Sequence, residues 1–137
     1  MSDRQGHCLC GAVKITATNT DGKVGACHCK MCRRWGGGPF METECGTDVA
    51  FDGQDSISVY ASSDWAERGF CKHCGTHLFY RFKANGHYGV PIGLFDDDDS
   101  LTFAHQVFID EKPAYYAFAN ATHNMTGPEL IAKYEKL

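Results

Sequence analysis

The chain has 137 residues, 43% hydrophobic and 22% charged, with a formal net charge of −4. That is the size and mix of one ordinary globular domain spanning residues 1–137. The negative balance weighs against a nucleic-acid partner, whose phosphates call for concentrated positive charge, and no apolar run approaches the roughly 20 residues that span a bilayer.

In chain order, Met1 to His7 lack the apolar core of a secretory signal, so a reducing cytoplasmic location is expected. Clustered cysteines there serve as metal ligands or catalytic thiols rather than disulfides. Residues 13–18 alternate apolar and polar, as a half-buried strand does. Asn19-Thr20-Asp21-Gly22 is a turn, and 23–29 is the returning strand. Aromatic and β-branched runs place further strands at 39–45, 49–51, 57–61, 77–82, 88–94 and 101–108, with glycine-containing turns between them. Asp96 to Asp99 set four carboxylates in a row, but the spacing does not match an EF-hand loop and reads as a solvated turn. Only the end is helical in pattern. Thr126-Gly127-Pro128-Glu129 forms its start, and 130–137 carry Lys133 and Lys136 near the negative end of the dipole. The expected fold is mainly β with a short C-terminal helix.

Seven of the eight cysteines fall in three clusters: Cys8-Leu9-Cys10, Cys27-His28-Cys29-Lys30-Met31-Cys32 and Cys71-Lys72-His73-Cys74. Four ligands close a structural zinc site, whereas three leave a position for water or substrate, as in catalytic zinc. In Cys71-x-x-Cys74-Gly75 a tight knuckle brings both sulfurs onto one ion. In Cys8-x-Cys10 an extended strand would point both sulfurs to one side. Those four cysteines would tie the N-terminal segment to a hairpin some sixty residues on. Cys27, Cys29 and Cys32 remain, followed by Arg33, Arg34, Trp35 and Gly36-Gly37-Gly38. Guanidinium groups there suit an anionic ligand, and the glycines either admit a close approach of backbone to substrate or form a loose turn. Spacing alone permits a rival grouping, Cys29/Cys32 with Cys71/Cys74, and permits His7, His28 or His73 to close the second site. His77, His87, His105 and His123 read as strand or loop residues, and Cys45 as a small buried hydrophobe.

The run Gly6-His7-Cys8-Leu9-Cys10-Gly11-Ala12-Val13, then residues 27–34, then Phe70-Cys71-Lys72-His73-Cys74-Gly75-Thr76 resembles the glutathione-dependent formaldehyde-activating enzyme family, which includes the centromere protein V domain. The likeness covers about residues 6–118 and contains all seven family cysteines in order. It departs near Lys112-Pro113-Ala114-Tyr115, where many relatives carry a tryptophan. The resemblance implies a β-tent, a zinc-bearing arrangement of antiparallel sheets shared with methionine sulfoxide reductase B and a Rab-binding zinc protein. It also implies two zinc ions per chain. Cys8, Cys10, Cys71 and Cys74 are then the structural site, and Cys27, Cys29 and Cys32 the catalytic-type site. The implied activity is that of a carbon–sulfur lyase, adding glutathione or a similar small thiol to formaldehyde or another aldehyde to give S-hydroxymethylglutathione, with Arg33 or Arg34 pairing a glutathione carboxylate. The alternative is a non-catalytic zinc-stabilised binding module.

Overall fold

The computed structural model describes residues 2–97 and 99–135, the side chain of Ser2 excepted. Two compact units are interleaved along the chain, one built from Met1–Gly22 and Glu42–Leu101, the other from Lys23–Met41 and Thr102–Leu137.

In the first unit, β1 (Ser2–His7), β2 (Lys14–Thr20) and β5 (Val49–Asp52) make a three-stranded antiparallel sheet with β2 central. Ile15 and Ala17 point inward at period two, and Ile15 stands opposite Phe51. A second antiparallel array runs β4 (Phe40–Gly46), β9 (Tyr88–Pro91), β8 (His77–Phe82), β7 (Ala66–Cys71) and β6 (Ile57–Tyr60), with β4 belonging to this unit from Glu42 onward. Val13, Ile15, Ala17, Leu78, Phe79, Val90, Leu94 and Phe95 bury a common core together with Cys8, Cys45 and Cys71. Phe51 and Phe79 each pack edge to face on Tyr88 at 5.8 and 5.1 Å between centroids, a favourable arrangement for aromatic quadrupoles, and tilt against each other at 5.3 Å. Arg4 is buried; its guanidinium donates to Thr20 Oγ1, the Asp97 carbonyl and Ser100 Oγ. The carbonyls of the acidic turn thus satisfy a buried cation. Asp98 of that turn lies outside the described residues.

In the second unit, β3 (Lys23–Cys27) runs parallel to β10 (Thr102–Val107), which in turn runs parallel to β11 (His123–Asn124). These two pairs are parallel, while the other described strand pairs in the mainly β fold are antiparallel, as the β-tent expectation has them. β3 also takes β10 as its partner rather than closing a hairpin on β2, and it ends at Cys27, not 29. A parallel partner requires a long crossover, and the chain between residues 28 and 101 supplies one.

Helix α1 (Lys30–Gly36) corrects the view that only the end of the chain is helical. It stops at Gly37, whose φ of +87° is the left-handed conformation of a C-cap and whose N–H reaches the Arg33 carbonyl at 2.7 Å. The triple glycine therefore serves first to end a helix. Helix α2 (Gly127–Glu135) opens with a reciprocal cap: Glu129 N–H donates to Thr126 Oγ1 at 3.2 Å, and Thr126 N–H to Glu129 Oε1 at 2.9 Å. Lys136 and Leu137 of the expected helix lie outside the described residues. Among the described residues no helix is long and apolar enough to cross a membrane.

Candidate functional site

Cys8-Leu9-Cys10 follows β1 in a turn, not on an extended strand as the alternating spacing suggests. Gly11 N–H bonds the Cys8 carbonyl at 3.0 Å, and Cys8 N–H bonds Val13 at 3.0 Å. The turn, rather than strand alternation, brings the two sulfurs to 3.7 Å from each other. Cys71 ends β7, and the turn beyond it closes through Gly75 N–H to the Cys71 carbonyl at 2.8 Å. The Thr76 hydroxyl bridges the two turns, accepting Leu9 N–H at 3.1 Å and lying 3.1 Å from Cys74 Sγ. That contact, first among several hydrogen bonds, pulls the Cys74 thiol down to about 5.

The Sγ atoms of Cys8, Cys10, Cys71 and Cys74 all lie within 4.8 Å of one another, with Cys8–Cys10 and Cys10–Cys71 at 3.7 Å. Four sulfurs at about 2.3 Å from a tetrahedral zinc are about 3.8 Å apart, so this quartet has the edge length of a closed zinc site. All eight cysteines are free thiols.

The second group is supplied by one short stretch. Cys27 ends β3 opposite Val107, Cys29 is the N-cap of α1, and Cys32 is buried in its first turn. Cys29 Sγ accepts the Cys32 N–H at 3.4 Å, so the ligand also caps the helix. The three sulfurs lie within 4.8 Å of one another. Their crowding, Cys29 foremost and then Cys32 and burial, pushes the Cys27 thiol far above its ordinary value. Three thiolates cannot coexist there without a cation, and a divalent ion reverses that balance.

Among the described residues no histidine or carboxylate joins either group. His28 is fully buried with both ring nitrogens occupied, Nδ1 by Tyr116 Oη and Nε2 by Gln106 Oε1, each at 2.7 Å. Burial lowers its pKa, which favours the neutral imidazole. His7 Nδ1 lies 2.8 Å from the Cys8 carbonyl, and His73 Nε2 lies 3.1 Å from Ser56 Oγ. Cys45 is buried, and its thiol is pushed up to about 12, chiefly by desolvation.

Arg33 and Arg34 are not equivalent. Arg33 Nε donates to the His28 carbonyl at 2.9 Å and so braces the ligand loop. Together with Lys30, Gly37 and the exposed Tyr115, both arginines line a cleft of about 370 Å³. At 100° per residue, Lys30, Arg33 and Arg34 share one face of α1. Cys32 lies roughly 160° from Lys30 and Arg34, and roughly 100° from Arg33. The cationic cleft thus flanks the thiols around the helix rather than covering them. Lys30 and Tyr115 escape a sequence reading because their role depends on α1 itself. Tyr116 and Gln106 escape it because they meet His28 across 88 and 78 positions.

A family model for the glutathione-dependent formaldehyde-activating enzyme matches residues 3–111. The chain is 38% identical to an uncharacterized lyase of Schizosaccharomyces pombe over 138 residues, covering 99% of this chain and 100% of that one. A crystal structure of a Rhodobacter sphaeroides protein is similar at a TM-score of 0.58 and 26% identity, over 67% of this chain and 87% of that one. With a mainly β fold, two convergent cysteine groups and a match over most of its length, the chain belongs to the glutathione-dependent formaldehyde-activating enzyme family.

Proposed function

We propose that this protein is a zinc-dependent carbon–sulfur lyase that joins a small anionic thiol of the glutathione type to formaldehyde or a similar aldehyde. Cys8, Cys10, Cys71 and Cys74 would hold a structural zinc, and Cys27, Cys29 and Cys32 a catalytic-type one. The observation that carries the reading is the convergence of three thiols, with no histidine, carboxylate or further cysteine joining them among the described residues, at the N-terminal end of the helix that also bears the cationic cleft. Zinc held by three thiolates leaves a coordination position for an outside ligand and lowers the pKa of a thiol placed there.

The chain's own residues supply the rest. Cys27, Cys29 and Cys32 are placed by strand pairing and helix capping. Lys30 and Arg34 offer charge-assisted hydrogen bonds to a carboxylate, and Arg33 stands between the cleft and the ligand loop. Glutathione carries its sulfur mid-molecule with a carboxylate on each arm, so a sulfur at the thiol cluster leaves one arm free to reach around α1. In the reaction the thiol sulfur bonds the carbonyl carbon, the C=O π electrons move to oxygen, and the thiol proton ends on that oxygen. The reverse breaks the same C–S bond.

Calorimetry of the zinc-loaded protein tests this. Glutathione should bind measurably, and S-methylglutathione, whose sulfur cannot ionise, much more weakly. Lys30→Ala and Arg34→Ala spare the brace on His28 and should weaken glutathione binding by about 1.5–3 kcal/mol each where a charged hydrogen bond is lost. Adduct formation must be scored against the uncatalysed reaction at the same pH. Equal affinity for both peptides, with no acceleration over that background, rejects the reading and leaves a zinc-stabilised binding module.

A further inference from the structure

His28 sits between two of the three clustered thiols, and every hydrogen-bonding group it has is occupied. Its N–H donates to the Val107 carbonyl at 3.2 Å, and its carbonyl accepts Arg33 Nε at 2.9 Å. The ring contacts continue outward in a line. Gln106 Nε2 donates to Thr122 Oγ1 at 3.0 Å, and the Thr122 hydroxyl donates to Asn124 Oδ1 at 2.6 Å.

The direction of the line follows from donor count. The single hydroxyl hydrogen of Thr122 is spent on Asn124, so Thr122 can only accept from Gln106, which turns the Gln106 carbonyl oxygen to His28. His28 therefore carries its proton on Nε2 and presents a lone pair at Nδ1, and the Tyr116 hydroxyl is the donor there. Five side chains from 28, 106, 116, 122 and 124 thus form one unidirectional chain, each donating to the next. Phe118 packs against both the His28 and Tyr116 rings, and Lys112 Nζ fastens the Tyr116 carbonyl and lies 5.2 Å from its ring centre. Withdrawing the imidazole would orphan the buried Gln106 amide on one side and the half-buried Tyr116 hydroxyl on the other, at a cost for each unsatisfied group. Because its backbone joins Cys27 to Cys29 and is itself held by the Val107 carbonyl and Arg33, anchoring His28 restrains the backbone from which both thiols project.

We infer that Tyr116 and Gln106 are positioning residues of the three-cysteine centre. Through His28, which is not itself a ligand, they hold Cys27 and Cys29 in the arrangement that takes a metal ion. This rests on the reading of Cys27, Cys29 and Cys32 as a metal site. It adds that outlying partners on an intervening histidine tune that site, a role usually filled by groups bonded to a ligand itself.

The test reads metal, not turnover. Competitive chelator titration with Zn²⁺ and the absorption spectrum with Co²⁺ are measured for wild type, Tyr116→Phe, Gln106→Leu and Gln106→Glu, with side-chain ¹⁵N shifts for His28. Tyr116→Phe and Gln106→Leu should each weaken the second ion 10–100-fold and alter the sulfur-to-cobalt bands while the first ion stays bound. Gln106→Glu, which keeps an acceptor for His28, should restore most of the affinity. The shifts should report the Nε2–H tautomer. Wild-type affinity and spectrum in Tyr116→Phe, or an Nδ1–H tautomer, overturns the inference alone. A wild-type chain that takes no second ion overturns the metal reading and the inference together.

Discussion

Glu42 on β4 is the clearest lever on stability. Its Oε2 is shielded from solvent and has no hydrogen-bond partner among the described residues, and a Cβ added at Gly89 would lie 2.9 Å from that oxygen. Gly89 thus leaves the space the carboxylate fills. Desolvation first, then the charges of Glu44 and Asp21, raise its pKa from 4.5 to about 8. A carboxyl raised on folding stays protonated in the native state while the unfolded chain loses its proton. Stability is therefore lost as pH climbs from 4.5 towards 8, and the loss levels off above 8. Integrated between pH 5 and 8.5, the shift corresponds to about 4 kcal/mol as an upper bound. At roughly 2.1 cal/mol/K per residue, that is about 14 °C in Tm for a chain of this length. Glu42→Gln removes the charge at nearly constant shape. Any cost of its unpartnered amide is independent of pH, so the informative quantity is the change in ΔΔG across the range. Denaturant melts of the zinc-loaded pair at pH 5 and 8.5 should show the variant gaining several kcal/mol relative to wild type at the alkaline end. Cysteine titration affects both proteins alike and cancels. Parallel stability curves would refute the argument.

Zinc analysis should find up to two ions per chain of unequal lability, a mild chelator removing one while the β signal in circular dichroism persists; simultaneous loss of both with unfolding contradicts the four-and-three division. Cys71→Ser, at a fully buried thiol, should abolish or sharply reduce folded yield, whereas Cys32→Ser should give folded protein lacking only the second ion; equal collapse of both would make both sites structural.

Metal ligation gathers its residues in short, recognisable spacings, which is why the three cysteine clusters stand out in the chain; spacing alone left two groupings open, and the resemblance to the family favoured four and three. Most strand positions were legible for a similar reason, since period-two burial in β2 or aromatic density in β8 is written locally. The strands β1 and β7, six residues each, went unread because charged residues and glycine interrupt the apolar alternation there, and the rest of what was missed is non-local or short. The parallel partnership of β3 with β10 spans the crossover, and nothing in residues 23–27 announces it. Helix α1 has seven residues and a cysteine for an N-cap, so it lacks both the apolar period and the usual capping residue; Gly37 was its one available signal. The extended reading of Cys8-Leu9-Cys10 failed because sulfur convergence overrode alternation. His28, between two cysteines, offered itself as a possible further ligand, and only the fold brings Tyr116 to it.

The interleaving of the two units sets an order of assembly during synthesis. The last thiol of the quartet is Cys74, so that group is complete while the chain beyond it is still being made. Cys27, Cys29 and Cys32 emerge earlier yet wait longer, because β10, Gln106 and Tyr116 come from the final third. At roughly 5–20 residues per second, several seconds separate Cys32 from Tyr116. Through that interval three crowded thiols lack the strand and side chains that will enclose them, open to oxidants and to the wrong ion. The nascent chain is thus more vulnerable at its reactive centre than at its scaffold, and a ribosome-bound fragment ending near residue 101 should display those thiols to alkylating reagents that the finished protein resists.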